Sequence, residues 1–323
     1  MLDCATYGAA EVRALLDYPG CIAAVREAMA AFSAGGVEQP LRSITPVGPG
    51  KLFALMPGTL AEPAGFGAKI ITAYGDPGRP GRSAHRGVVV LFDRDSGAPA
   101  CVADAGEVTH IRTACASAVA TDVLARSDAR TLGVFGCGAQ AASHVRALAL
   151  VRPLTAIRVW GRSAAAARRF AVETAAASGL PVLAVDDPRE AAACDIVCTV
   201  TGASMPVLLG GWVQPGTHVN AVGSSYAGPV EVDAALVVAS RYVADSRRSA
   251  MAAAAEFLAA REAGLIGDDH LAAEIGEVLL GRIAGRRAAD EITFYKSLGH
   301  VVQDLAAVAY LHAKAGGQRA AGL

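Results

Sequence analysis

The chain has 323 residues, enough for two domains with separate cores, and its 53% hydrophobic but only 5% aromatic composition suits small side chains packed on a sheet. A formal net charge of −1 gives no electrostatic case for nucleic acid or an anionic membrane surface. No leader pattern opens the sequence, and the apolar run at 251–255 is far shorter than a membrane span, so a cytoplasmic chain is expected.

In chain order, residues 9–34 have helical spacing broken at Pro19-Gly20, which predicts two short helices ended by Gly35-Gly36. From residue 42 the period shortens. Segments 42–46, 51–56, 66–73, 87–92 and 100–104 read as strands divided by Gly and Pro turns, without intervening helices. An antiparallel α+β unit is therefore expected first. A small-residue helix at 107–125 follows. Beyond it the pattern alternates: strands at 131–135, 157–160, 181–185, 195–200, 217–222 and 242–244, a further strand at 236–238, and helices at 164–178 and 190–193. Such alternation predicts a Rossmann-type doubly wound parallel sheet. Helices at 249–263, 270–280 and 298–315 complete the chain.

The first turn of that second region carries G-x-G-x-x-A at Gly136, Gly138 and Ala141, with Ala139 and Gln140 opening the next helix. Gly136 permits a tight turn, Gly138 lets backbone approach a pyrophosphate, and Ala141 lets helix and strand pack closely. In NAD-specific sites an Asp or Glu ends the second strand and holds the ribose hydroxyls. Here that strand ends in Gly161-Arg162-Ser163, a guanidinium and a hydroxyl suited to a 2′-phosphate, so NADP(H) is expected over NAD(H). The seven cysteines are scattered without zinc-ligand spacing, and no metal is expected. They read as small buried hydrophobes in a reducing compartment; Cys137, inside the glycine loop, is the one thiol that a helix N-terminus could make reactive.

Three basic residues precede the glycine loop. Lys69 interrupts an apolar segment, Arg112 lies on the small-residue helix, and Arg42 starts the first strand; burial of such charges requires an anionic partner. In sequence with Gln39-Pro-Leu-Arg-Ser43, Gly67-Ala-Lys-Ile70, His110-Ile-Arg-Thr-Ala-Cys-Ala-Ser117, Phe135-Gly-Cys-Gly-Ala-Gln140, Trp160-Gly-Arg-Ser163, Asn220-Ala-Val-Gly223 and Tyr295-Lys-Ser-Leu-Gly-His-Val-Val-Gln-Asp304, the chain resembles the ornithine cyclodeaminase/mu-crystallin family over nearly its whole length.

That resemblance implies a homodimer with a substrate-binding and dimerisation domain of residues 1–117 with 304–323, and an NAD(P)-binding Rossmann domain of residues 118–303. It implies that Arg42 and Arg112 bind a substrate α-carboxylate, that Lys69 binds substrate and acts on the reacting nitrogen, and that Arg112 also meets the cofactor. Ala139, Gln140, Thr201, Val222, Gly223 and Ser297 match cofactor positions, and His85 matches a turn approaching it. Asp304 is expected to organise the last helix or pair with a basic residue. Ornithine-cyclising members carry an Asp where this chain has Ser225, a hydroxyl without comparable basicity. Substrate selectivity is expected around Met56, Ser224, Ser225 and Tyr226.

The function implied is NADP(H)-dependent reduction of a C=N bond beside a carboxylate, on a cyclic ketimine acid of pyrroline- or piperideine-2-carboxylate type. Ornithine cyclodeamination or a related amino-acid dehydrogenation is one alternative, and non-catalytic NADPH-dependent ligand binding another.

Overall fold

The computed structural model describes residues 4–63, 65–75 and 83–320. The chain forms two compact units, Met1–Thr113 with His300–Leu323, and Ala114–Gly299. One division falls inside a helix, the other just after Gly299.

The first unit opens with β1 (Ala5–Tyr7), α1 (Ala9–Leu15) and α2 (Tyr18–Ser33). The break between the helices lies at Leu16-Asp17 rather than at Pro19-Gly20. Asp17 caps α2 by accepting from the Gly20 N–H, and Pro19 occupies the first turn, where its missing N–H costs nothing. Then come β2 (Ser43–Gly48), β3 (Lys51–Leu60), β4 (Gly65–Gly75), β5 (Ser83–Asp93) and β6 (Pro99–Asp104), in the order β1-β6-β5-β4-β3-β2. All neighbours from β2 to β6 are antiparallel, and β1, too short to be seen in the sequence pattern, adds to β6 in parallel. The following α3 (Ala105–Leu124) crosses into the second unit, where the Arg152 guanidinium donates to the carbonyls of Thr121, Asp122 and Ala125 and closes its C-terminal end.

The second unit contains β7 (Thr131–Phe135), α4 (Ala139–Leu148), β8 (Ala156–Trp160), α5 (Ala164–Ser178), β9 (Val182–Ala184), α6 (Pro188–Ala192), β10 (Ile196–Thr199), β11 (His218–Ala221), α7 (Ala234–Ala239), β12 (Ser240–Ala244), α8 (Arg247–Ala253), α9 (Ala255–Glu262), β13 (Leu271–Glu274), α10 (Ile275–Leu279) and β14 (Ile292–Lys296). Its eight strands run β13-β12-β14-β11-β10-β7-β8-β9, every neighbouring pair parallel. The doubly wound sheet is thus as expected, with its switch point between β7 and β10.

Three expected elements differ. The apolar run at 236–238 is helical, because Asp233 accepts from the Leu236 N–H and caps α7; so short a run carries no period of its own. Residues 270–280 form an edge strand and then a short helix, since β13 pairs with β12 before α10 begins. The helix expected at 249–263 breaks at Ala254 into α8 and α9. Strand β14, absent from the expected elements, lies inside the sheet between β11 and β12.

Returning to the first unit, α11 (Val301–Ala320) packs against α2, β3, β4 and β5. Its N-terminal N–H, of Val301, donates to the Gln39 carboxamide oxygen. Gly58 and Gly67 let the sheet approach it closely: a Cβ at Gly58 would lie 2.4 Å from Val301 Cγ1, and one at Gly67 2.9 Å from Leu305 Cδ2. Among the described residues no helix is long and apolar enough to cross a membrane.

Candidate functional site

In a parallel sheet all strands finish at one edge, and residues just past those ends form a common surface. Every expected cofactor residue of the second unit lies there. Gly136, Gly138, Ala139 and Gln140 follow β7; Arg162 and Ser163 follow β8; Thr201 follows β10; Val222 and Gly223 follow β11; Ser297 follows β14. The glycine loop and Thr201 flank the switch point.

Gly136 has φ +123°, a conformation that excludes other residues without strain, and a Cβ there would also sit 2.9 Å from the Val200 carbonyl oxygen. Gly138 precedes α4 in extended conformation, and a Cβ added to it would meet nothing within 4 Å. The glycine therefore faces open space beside the unsatisfied N–H groups of a helix start, while Ala141 is completely buried behind it. His144 stiffens this turn. Its Nδ1 donates to the Gln140 carbonyl at 2.7 Å, which leaves Nε2 to accept from Ser117 Oγ at 2.9 Å; burial lowers its pKa to about 4 and keeps the ring neutral.

The surroundings of Cys137 oppose activation of its thiol. Burial raises its pKa, and its sulfur packs where a Cβ on Gly161 would come within 2.6 Å. Arg162 is exposed, and Ser163 caps α5 by accepting from the Ala166 N–H at 3.3 Å.

Glu231 was not singled out in the sequence, yet it joins two of these strand ends. Buried at 1% exposure, its carboxylate accepts from Thr199 Oγ1 at 2.9 Å and from Thr201 N, Thr201 Oγ1 and Gly223 N, each at 2.6 Å. Burial raises its pKa, and the four hydrogen bonds compensate its desolvation. Lys296, fully buried at the end of β14, does similar work next door. Its ammonium donates to Ser224 Oγ at 2.9 Å and to Glu256 Oε2 at 3.1 Å, while Tyr242 donates to the other Glu256 oxygen at 2.7 Å. Ser224 is thereby fixed and buried, Ser225 beside it is half-buried, and Tyr226 is exposed. A charged residue closing an apolar run was the available signal for Lys296; an isolated Glu after a Gly-Pro turn offered none for Glu231.

The basic residues lie in the first unit. Lys69 (4% exposed) stands on β4 opposite Met56 of β3, and Arg112 (4% exposed) on α3. Asp304 of α11, completely buried, joins them through one oxygen. Its Oδ1 accepts from Lys69 Nζ at 3.1 Å and from Arg112 Nε at 2.9 Å. Lys69 also donates to Thr109 Oγ1 at 2.6 Å, and Arg112 Nη1 to Gln303 Oε1 at 2.7 Å. Arg42, half-buried before β2, is close enough for its charge to act on Lys69.

Burial lowers the Lys69 pKa to about 8. The Asp304 carboxylate opposes the shift, while Arg112 and Arg42 add to it. The expected ion-pairing of Asp304 with a basic residue is therefore double. His300, one helical turn before Asp304, is also buried and lies against Phe32. Burial holds its pKa near 3, and neither ring nitrogen has a hydrogen-bond partner among the described residues. His85 lies within β5, opposite Ala73; its side chain is outside the described residues.

A model of the ornithine cyclodeaminase/mu-crystallin family matches residues 5–319. The chain belongs to the ornithine cyclodeaminase/mu-crystallin family. It is 32% identical to Delta(1)-pyrroline-2-carboxylate reductase of Bacillus cereus over 308 residues, 94% of each chain. It is 34% identical to ketimine reductase mu-crystallin of Mus musculus over 285 residues, 87% of each. The structure of Thermococcus litoralis Delta(1)-pyrroline-2-carboxylate reductase in complex with NADH and L-proline superposes with a TM-score of 0.93 at 29% identity, covering 97% of this chain and 98% of that one.

Within this family member, Glu231→Gln replaces a carboxylate by an amide whose NH2 must face N–H and O–H donors. Each donor left unpaired is expected to cost about 1–3 kcal/mol in urea unfolding; an unchanged midpoint would contradict the stapling role.

Proposed function

We propose that this enzyme reduces a cyclic ketimine acid, of pyrroline- or piperideine-2-carboxylate type, to the cyclic amino acid with NADPH. The observation that carries this is the buried cluster in which Lys69 and Arg112 share one carboxylate while Arg42 adds a further positive charge. Two cations sharing one carboxylate favour a small anion. Sequence identity to a pyrroline-2-carboxylate reductase and a ketimine reductase supports the same class.

Arg112 keeps its Nη1/Nη2 end for the substrate carboxylate, since Asp304 takes Nε and Gln303 takes one Nη1 hydrogen. Arg42 assists as a second cation. With the α-carbon so held, Lys69 acts on the nitrogen beside it. As the C=N bond becomes C–N, the nitrogen gains a lone pair, and the Lys69 ammonium supplies the proton that this pair takes. Two of its three N–H groups are oriented by Thr109 and Asp304, leaving the third for substrate. Ser225 offers no carboxylate to deprotonate a second amine, so ammonia release from ornithine is not expected.

The loop after β7 suits a dinucleotide: a left-handed glycine at 136, open space before Gly138, and the start of α4. Gly136, Gly138, Ala139 and Gln140 would hold the pyrophosphate, and Thr201, Val222, Gly223 and Ser297 the nicotinamide side. When bound, the reduced nicotinamide supplies hydride to the α-carbon. An exposed Arg162 and the capped start of α5, with no carboxylate between them, favour the 2′-phosphate of NADPH. We further propose a homodimer, because the large apolar side chains of Ile44, Val47, Leu52, Phe53 and Tyr74 stand exposed along β2, β3 and β4.

NADPH consumption on cyclic ketimine acids across pH tests the reaction. Lys69 is the proton donor below its pKa, so reduction should hold up to pH 8 and fall above it, while oxidation of the amino acid should rise through the same point. Lys69→Met should lower turnover about 10²- to 10⁴-fold. No reduction of any such imine, or a profile unchanged in Lys69→Met, would sink the proposal. In parallel, Arg162→Ala should raise KM for NADPH about tenfold and leave NADH kinetics nearly unchanged; equal effects on both would remove the NADPH preference.

A further inference from the structure

Asp304 has a second oxygen. Oδ1 accepts from both Lys69 and Arg112, whereas Oδ2 is buried with no hydrogen-bond partner among the described residues. A buried carboxylate oxygen without a donor is costly, and the N–H of a ligand bound at this cluster would supply the missing donor. Oδ2 belongs to the same carboxyl group as Oδ1, so it lies within one carboxylate width of the atom that orients the Lys69 ammonium. A substrate nitrogen that takes the free Lys69 N–H would lie next to this carboxylate, and it reaches Oδ2 once the side chains that cover that oxygen move aside.

The charges suit this arrangement. A protonated imine is the better hydride acceptor, but its positive charge would be repelled by Lys69, Arg112 and Arg42 unless an anion faced it. His300 cannot supply that anion: its neutral ring, also without a hydrogen-bond partner, contributes no charge. Asp304 can.

We propose that Asp304 Oδ2 accepts the N–H of the substrate's protonated imine, so that this residue both sets Lys69 and Arg112 and selects the iminium form. This rests on the functional reading above and adds a specific contact to it. The substrate would enter with its in-plane N–H on Oδ2. Hydride then adds to the α-carbon, the C=N π pair becomes a nitrogen lone pair, and Lys69 protonates that pair. The product leaves as an ammonium and Lys69 as a neutral amine, which recovers its proton from solvent.

Two inert, planar ring acids separate this contact from mere packing. Pyrrole-2-carboxylate carries a ring N–H; furan-2-carboxylate carries an oxygen in its place and is otherwise matched in shape and charge. Their affinities are to be measured by calorimetry with oxidised nicotinamide cofactor present, for the wild-type chain and for Asp304→Asn. The wild type should prefer the pyrrole acid about tenfold or more, the size of one hydrogen bond to a charged group. In Asp304→Asn that preference should collapse toward unity. Equal affinities in the wild type would overturn the proposal even if the variant fails to fold, and so would a preference that survives in a folded Asp304→Asn. If the wild type binds neither acid, the functional reading falls and this contact falls with it. Binding of both acids without discrimination removes the contact alone.

Discussion

A charge taken out of water must meet an opposite charge or shed its own, and the first unit is arranged around one such meeting. Asp304 is fully buried on α11, and its Oδ1 alone orients a lysine from β4 and an arginine from α3. Three elements distant in sequence are thereby tied together at these side chains. The geometry also sets the chemistry. Burial pulls the Lys69 pKa down, Asp304 pulls it back, and the balance near 8 leaves a proton that can be given or taken at ordinary pH. A buried salt bridge is weak evidence for stability, because desolvation offsets much of the attraction. Its value here lies in position and proton affinity.

The second unit applies the same constraint to backbone. Loops at the C-terminal ends of parallel strands have no sheet partners of their own, and here buried carboxylates supply them. Glu231 ties the loop after β10 to the loop after β11, and Asp245 Oδ2 accepts from the N–H groups of Leu298 and Gly299 beyond β14. Lys296 and Glu256 then secure Ser224. Glycine loop and carboxylate staples together form a preorganised edge, and a preorganised edge is what a cofactor with two charged phosphates requires.

Most of this fold was legible in the sequence because its elements repeat a period. The α5 helix is long and capped by a serine, and the strands β7, β8 and β10 are apolar runs ended by turns. Elements too short for a period carry no such signal: α7 looks like a strand until Asp233 is seen to cap it, and β13 looks like part of a helix until β12 is placed beside it. The site divides along a similar line. Lys69, Arg112 and the glycines stand out because each is locally anomalous, a charge in an apolar run or a glycine pair after a strand. Glu231, Gln303 and His300 are locally unremarkable, and their importance arises only from partners or burial that folding creates. For Asp304 the sequence suggested pairing with a cation; only the structure shows that there are two.

Asp304 both holds Lys69 and raises its proton affinity against burial and the charges of Arg112 and Arg42. The pH dependence of kcat/KM for imine reduction in Asp304→Asn, set beside the wild type, tests it most directly. Removing a charge that raises the Lys69 pKa must move the alkaline limb to lower pH than the wild type's, which is expected near 8. A limb that stays in place in a folded, active variant would contradict the account.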